Sequence, residues 1–451
     1  MSSFSRLLQN ALHEGRKLAA GPIARASGLS MAIRLSGMGL LFVQAVLTAR
    51  LLGPAGYGTT ATVLSAAQVL SSAAMLGFGA LAVREVPARR AAEQPGALAA
   101  FLRFSFLATL AVSVVVALMA SLALVPAVPV AEAMRHPFAL GGVLVVPLAF
   151  VALFRGWAQG FGQIAMAQVP GEFLRPAVMV SVLVTVAIGG LAFDPAEYLI
   201  AATVAALVAA VVAWVWIARK ELRHLPAPGD WVGGRAIMAA SFPFLGMGMI
   251  AILQGELNTL LLAALAGPRE TGLFQPVARL MPLLALPIQA ASMRYAPRMA
   301  EFWHREEHER ILSVTGTFTW TTTLLTLLAG LAIAGAGPWL MLVFGRDFSA
   351  SAPLLWIVAA AQVFNAACGP LGVVFSMAGR TGIAVFGQLA GLAVNIAVGL
   401  LFIPHYGAAA AAMGILAATV TWNVVLLIAI RRILGIDTSI LGVLARRRSA
   451  R

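Results

Sequence analysis

Residues 29–51 read LSMAIRLSGMGLLFVQAVLTARL, residues 59–83 read TTATVLSAAQVLSSAAMLGFGALAV, and LGPAGYG joins them. The first run holds two charged residues, Arg34 and Arg50, and the second holds none. At 1.5 Å per residue either run is long enough to cross a hydrocarbon core of about 30 Å. Barrel strands are excluded, because they cross in about ten residues and alternate polar with apolar, whereas these runs are apolar on every face. A helix satisfies its backbone groups internally, as lipid requires. Between the two runs, Pro54 ends one helix and Gly53 tolerates the turn. The fold class is therefore all-α, a polytopic membrane protein.

Outward from this hairpin the pattern repeats. The expected spans 1 to 6 cover 29–51, 59–83, 101–125, 138–155, 175–193 and 198–217, and spans 7 to 12 cover 237–266, 273–293, 314–342, 353–377, 383–403 and 408–430. Composition agrees: of 451 residues, 61% are hydrophobic and only 11% charged, against about 25% charged in soluble domains. The net charge of +14 would suggest a nucleic-acid partner in a soluble chain; here membrane topology accounts for it, and no such partner is expected. The single cysteine, Cys368, permits no intramolecular disulfide and reads as a small packing residue.

With the N terminus inside, Arg84, Arg89, Arg90, Arg219, Lys220, Arg223, Arg235, Arg294, Arg298, Arg431, Arg432 and Arg446 to Arg448 all fall on one side. The opposite loops hold mainly Arg135, Arg269 and Arg346, each beside an acid. This is the positive-inside asymmetry, so both termini are expected in the cytoplasm. The basic N-terminal segment lacks a short apolar core with a cleavage site, so it does not read as a cleavable signal peptide. Residues 4–20 are a candidate interfacial helix.

An internal repeat orders the spans. An offset of 214 residues superposes Gly53-Pro54 on Gly267-Pro268, Gly58 on Gly272, Gln44 on Asn258 and Arg84 on Arg298. Six spans per copy send both copies into the membrane in the same direction, as in transporters whose lobes are related by an axis along the membrane normal. The expected organisation is a cytoplasmic segment 1–27, a six-helix lobe 28–218, a cytoplasmic linker 219–236 with Pro226, Pro228 and Gly229, a second six-helix lobe 237–433, and a basic tail 434–451. The two lobes are expected to surround a central cavity carrying the substrate path.

The stretch from Leu47 through Gly53-Pro54-Ala55-Gly56-Tyr57-Gly58 to Arg84-Glu85 resembles the opening hairpin of bacterial polysaccharide-biosynthesis flippases, of the O-antigen type. These belong to the multidrug, oligosaccharidyl-lipid and polysaccharide exporter superfamily. The resemblance continues through Gly267-Pro268, Tyr295-Ala296-Pro297, Phe344-Gly345-Arg346-Asp347-Phe348, Asn365 with Gly369-Pro370, Met377-Ala378-Gly379 and Ile403-Pro404-His405-Tyr406-Gly407. Asn258 stands where the family often has an acid, and Phe274 where it often has Tyr. The resemblance implies a twelve-helix, two-lobed fold in the bacterial inner membrane that moves a lipid-linked glycan. Membrane lipid, and a polymerase and glycosyltransferases, are the further partners it implies.

Glu256 is the one acid well inside a span, about ten residues or 15 Å from the end of span 7. Such a charge pairs, protonates or faces water. Glu256 is accordingly a proton or ion site, the partner of Arg279 in span 8, or a neutral structural carboxyl. Arg34, Arg103, Arg155 and Arg175 sit at the cytoplasmic ends of spans. They either snorkel to the interface or face a cleft and clamp a diphosphate, whose oxygens match the guanidinium fork. Glu172 and Arg175, spaced i, i+3, are a candidate pair on one helix face. Gln44, Gln68, Gln254, Asn258, Gln275, Gln362, Asn365, Gln388 and Asn395 line a sugar path or bond helix to helix.

His304-Arg305-Glu306-Glu307-His308 matches a zinc-hydrolase pattern, but its alternating charges in a short loop read as a solvated helix face. No phosphate-loop motif occurs, and no cofactor is expected. No loop exceeds about 20 residues, too short for the catalytic domain of a membrane glycosyltransferase or polymerase. The leading expectation is a non-enzymatic flippase that passes a polyprenyl-diphosphate-linked oligosaccharide from the cytoplasmic to the outer leaflet by alternating access. A cation-coupled multidrug exporter is the alternative of like mechanism, and would carry more membrane acids.

Overall fold

The computed structural model describes residues 22–122, 132–226, 233–305 and 307–449. The candidate interfacial helix 4–20, together with Pro228, Gly229 and Glu306, lies outside them. Among the described residues every regular element is helical. In chain order these are α1 (Pro22–Ala74), α2 (Phe78–Ala91), α3 (Pro95–Ser121), α4 (Glu132–Gly160), α5 (Ile164–Gln168), a π-helical turn (Val169–Leu174), α6 (Arg175–Gly189) and α7 (Pro195–Lys220). There follow α8 (Gly234–Leu265), α9 (Gly267–His304), α10 (His308–Gly335), α11 (Gly337–Phe344), α12 (Leu354–Cys368), α13 (Leu371–Met377), α14 (Thr381–Leu434) and α15 (Ile440–Ser449).

Among the described residues ten helical segments have the length and apolar composition to cross a membrane, and two of them are double. The segment Leu29–Ala91 has 63 residues, about 95 Å of helix, and breaks at Gly53 (φ 64°, ψ −178°). The 54-residue segment Thr381–Leu434 breaks at Gly407 (φ 50°, ψ −129°). Positive φ costs an L-residue about 1–2 kcal/mol and glycine almost nothing, so both breaks fall on glycine. Counting each double segment twice gives twelve candidate crossings among the described residues, in a multi-pass membrane protein.

Packing moves several boundaries. Span 2 was expected to run unbroken to residue 83, but the chain turns at Leu76 (φ 54°) and Gly77 (φ 77°) before α2. A Cβ on Gly77 would lie 2.6 Å from the Ser241 carbonyl and 2.5 Å from the Leu245 nitrogen of α8. The turn thus admits a helix backbone. Span 8 was expected to end at residue 293, whereas α9 continues to His304. Burial of Met299 and an edge contact of Tyr295 with Phe318 of α10 at 6.0 Å hold the extension. Span 9 is two helices, α10 and α11, parted where Gly335, Ala336 and Gly337 precede Pro338. Span 10 likewise breaks at Gly369 (φ 84°), where a Cβ would lie 2.6 Å from the Thr438 carbonyl.

The chain forms two compact units, Met1–Leu47 with Val63–Leu253, and Thr48–Thr62 with Gln254–Arg451. These bounds differ from the expected lobes in two places. The turn of the first hairpin belongs to the second unit, and the opening half of α8 to the first. In the first unit α4 packs against α3 and α7 around Phe78, Phe101, Phe154 and Trp157. The Phe154 and Trp157 rings meet edge to face at 5.4 Å. In the second unit α10 packs against α9 and α12, and α12 against α14. The Thr319 hydroxyl donates to the Thr438 carbonyl at 2.8 Å, and the Thr438 hydroxyl donates to the Cys368 carbonyl at 2.9 Å, tying the chain after α14 to this bundle.

Candidate functional site

In the first unit three charged side chains from separate elements converge. Arg155, near the C-terminal end of α4, pairs with Glu172 at 2.9 Å, and Arg34 of α1 reaches the other carboxylate oxygen at 4.0 Å. Glu172 lies in the π turn, whose Pro170 has no N–H to continue an α-helical ladder. Such turns re-aim side chains and gather at functional sites. The turn lies directly on α1 because residue 37 is glycine: a Cβ there would overlap the Glu172 carbonyl oxygen. Next to this contact the Ser30 hydroxyl donates to Gln168 at 2.9 Å. Arg175 follows the turn as the first residue of α6.

The cluster is open to its surroundings. The side chains of Arg34 and Arg155 are 48% and 45% exposed and that of Glu172 is 22% exposed. One carboxylate between two guanidiniums leaves a net positive charge, with forked donors that match carboxylate and phosphate oxygens. Gly37 and Glu172 were not among the expected ligand-contacting residues, although a glycine preceded by Ser36 in an apolar span is a signal for close helix approach.

Other candidates divide between the units. In the first, Gln44 donates to the Tyr198 hydroxyl at 2.8 Å. In the second, Asn423 donates to Asn365 at 3.0 Å, and Gln275 to Thr259 at 3.1 Å. These three contacts bond helix to helix. Asn258 is 4% exposed and its carbonyl oxygen has no hydrogen-bond partner among the described residues. Gln254 and Glu256 are half-buried, and Arg279 is exposed. Glu256, Arg279 and Arg175 each have an electrostatic or hydrogen-bond partner.

The repeated glycines form a contact inside the second unit. Gly53 and Gly267 (φ 85°) take the left-handed turn positions, each followed by proline at Pro54 and Pro268. Gly58 and Gly272 do something else: a Cβ on Gly58 would overlap the Pro268 carbonyl, and one on Gly272 the Pro54 carbonyl. Each hairpin presses its second glycine onto the other hairpin's turn. The zinc-hydrolase pattern is split between the end of α9 and the start of α10, where Arg305 pairs with Glu301 and Arg310 with Glu307, both at 2.9 Å.

A family model described as polysaccharide biosynthesis protein matches residues 23–303. The chain belongs to this family. Its fold is that of solved transporters of the MOP superfamily. A lipid II flippase, MurJ, in an inward closed conformation is similar with a TM-score of 0.70 and 13% identity over 90% of this chain and 87% of that one. An inward-facing multidrug resistance MATE transporter has a TM-score of 0.68 and 14% identity over 90% and 98%. A MOP transporter from Pyrococcus furiosus, whose binding pocket is described as of reverse polarity, has a TM-score of 0.58 and 14% identity over 96% of each chain. No curated protein matches the sequence. The solved structures named here are transporters and a flippase, and the likeness to them shows the fold of this chain.

Proposed function

We propose that this polysaccharide biosynthesis protein flips a polyprenyl-diphosphate-linked glycan from the cytoplasmic to the outer leaflet of the bacterial inner membrane by alternating access, with both termini in the cytoplasm. The observation that carries the proposal is the convergence of Arg34 and Arg155 on Glu172. All three lie at the basic ends of their spans, the side on which a lipid-linked glycan is assembled. A diphosphate offers more charge and more acceptor oxygens than one carboxylate, so it competes for the guanidiniums and frees Glu172. The lipid II flippase among the structures of the same fold supports a lipid-linked cargo.

The cargo needs such a protein because each unpaired hydroxyl entering hydrocarbon costs about 4–8 kcal/mol. A membrane potential negative inside favours outward movement of an anionic head group by about 2.3 kcal/mol per charge per 100 mV. The potential, an ion bound at Glu256, or consumption of the product by a polymerase or glycosyltransferase supplies direction. A cation-coupled exporter is the second reading, favoured by the half-buried Glu256.

The test replaces Arg155 and Arg34 singly by alanine and measures glycan export in cells with normal membrane levels of each variant. Export should fall about tenfold or more in Arg155→Ala, the loss of one charge-assisted contact. Normal export in both variants overturns the assignment. Loss of ion-driven drug efflux in Glu256→Gln with unchanged glycan export supports the second reading instead.

A further inference from the structure

The first unit contains a cavity of about 580 Å³ whose lining shares no residue with the Glu172 cluster. Arg89, Arg90 and Glu93 line it from the end of α2 and the turn after it, Phe161 from the turn after α4, and Lys220 and Glu221 from the end of α7. The rim is tied together. The Trp216 indole donates to Gln163 at 2.6 Å, Gln163 donates to Glu221, and Arg90 pairs with Glu221 at 3.4 Å. Glu85 pairs with Arg84 at 3.0 Å and with Arg89 at 3.1 Å.

Arg84, Arg89, Arg90 and Lys220 against Glu85, Glu93 and Glu221 leave one positive charge. Arg84 and Arg89 share Glu85 and Arg90 pairs with Glu221, whereas among the described residues neither Lys220 nor Glu93 has an ion-pair partner; the Lys220 ammonium lies 5.6 Å from the Trp216 ring centroid. The start of α3 also opens here through Gln94 and Pro95. This helix has no side-chain cap on its first amides, so its end adds partial positive charge.

The source of the matching anion is indicated by α7. Val204, Val208, Val212, Trp216 and Lys220 follow one another at intervals of four residues, a single ridge along the helix. The first four are exposed, by 51%, 37%, 38% and 42%. In a membrane protein an exposed apolar ridge faces lipid, and its end in tryptophan and lysine marks the headgroup level. The ridge therefore leads an acyl chain to the cavity mouth.

We propose that the cavity binds the phosphate of an anionic phospholipid, with Lys220 as its principal contact and the lipid's chains along the α7 ridge. The site is independent of the transported cargo and of the Glu172 cluster. Purified protein in detergent is titrated with phosphatidylglycerol, phosphatidylcholine or inorganic phosphate, and bound lipid is counted by native mass spectrometry. Phosphatidylglycerol should bind more tightly than phosphatidylcholine, about fivefold more weakly to Lys220→Gln than to the natural chain, and normally to Lys220→Arg. Inorganic phosphate should not compete at equal concentration. Equal affinity of the natural chain and Lys220→Gln for phosphatidylglycerol overturns the proposal, as does equal affinity for the two lipids or competition by inorganic phosphate. Normal thermal unfolding of Lys220→Gln establishes that the variant is folded.

Discussion

The two copies of the internal repeat start corresponding helices by different means. Asp194, which precedes α7, and Ala408, which opens the second arm of α14, stand 214 residues apart, the offset of the glycine pairs. At α7 the start is closed locally: Asp194 accepts from the Glu197 amide at 2.8 Å, and Glu197 accepts from the Asp194 amide at 3.0 Å. At Ala408 the amide donates at 3.0 Å to Glu270, 138 residues away in the first turn of α9. Gly407 makes room for this, since a Cβ there would overlap the Glu270 carboxylate. One carboxylate thus faces the starts of two helices, whereas the first copy has Gly56 at the corresponding position. At the same offset, then, one helix start is closed by a local cap and the other by a long-range tie.

The feature both copies share should be the hardest to lose. The mutual approach of Gly58 and Gly272 puts backbone against backbone, and a methyl group has nowhere to go without moving a helix. Overpacking of this kind costs about 1–3 kcal/mol or more, so Gly58→Ala and Gly272→Ala should each lower the melting temperature in detergent by roughly 1–3 °C or more. Gly39→Ala is the control. Its Cβ would meet nothing within 4 Å, and helix propensity then favours alanine. Equal behaviour of Gly58→Ala and Gly39→Ala would show that the glycine contact does not hold the hairpins.

The two caps should separate next. Glu270→Ala leaves the Ala408 amide without its acceptor and removes a charge-assisted bond, a loss of about 1.5–3 kcal/mol. Asp194→Ala removes a capping box and should cost about 1 kcal/mol. Hydrogen exchange distinguishes them by place as well as size: Glu270→Ala should loosen both the start of α9 and the segment after Gly407, and Asp194→Ala only the start of α7. Loosening confined to α9 in Glu270→Ala would remove the long-range tie.

The contrast also explains what was legible beforehand. Span existence follows from apolar run length, because a bilayer imposes one dimension on every helix, and the duplication is visible in the recurrence of Gly53-Pro54 and Gly58 at Gly267-Pro268 and Gly272. The Asp194-to-Glu197 box has the local spacing of a helix start. The partner of Glu270 has no local signal, nor has that of Glu172, whose contacts to Arg34 and Arg155 depend on a π turn and on the missing side chain of Gly37. Breaks at Gly77 and Gly369 were hidden for the same reason: in each case a distant backbone, at Ser241 or Thr438, fills the space a side chain would take. Charge type and helix end were readable; the pairing was not.

The smallest effect belongs to a third carboxylate, which works locally like Asp194. Asp437 follows α14 and is partly buried, which by itself raises a carboxyl pKa. The side chain and amide of Ser439, at 2.7 and 2.9 Å, and Arg431 outweigh that burial and hold the carboxyl below its ordinary value. A group depressed in the folded protein lends stability that is full above its unfolded pKa, near 3.9, and is lost as pH falls through the lower folded value. The Arg431 side chain is 53% exposed, so solvent screening keeps the contribution below about 1 kcal/mol. Asp437→Asn should therefore lower the melting temperature slightly at pH 7 and have progressively less effect as pH drops below about 4. A difference from the natural chain that persists undiminished at acid pH would assign the loss to packing of the 437–443 turn rather than to its charge, leaving Asp194 and Glu270 as the two carboxylates on which the comparison between the copies depends.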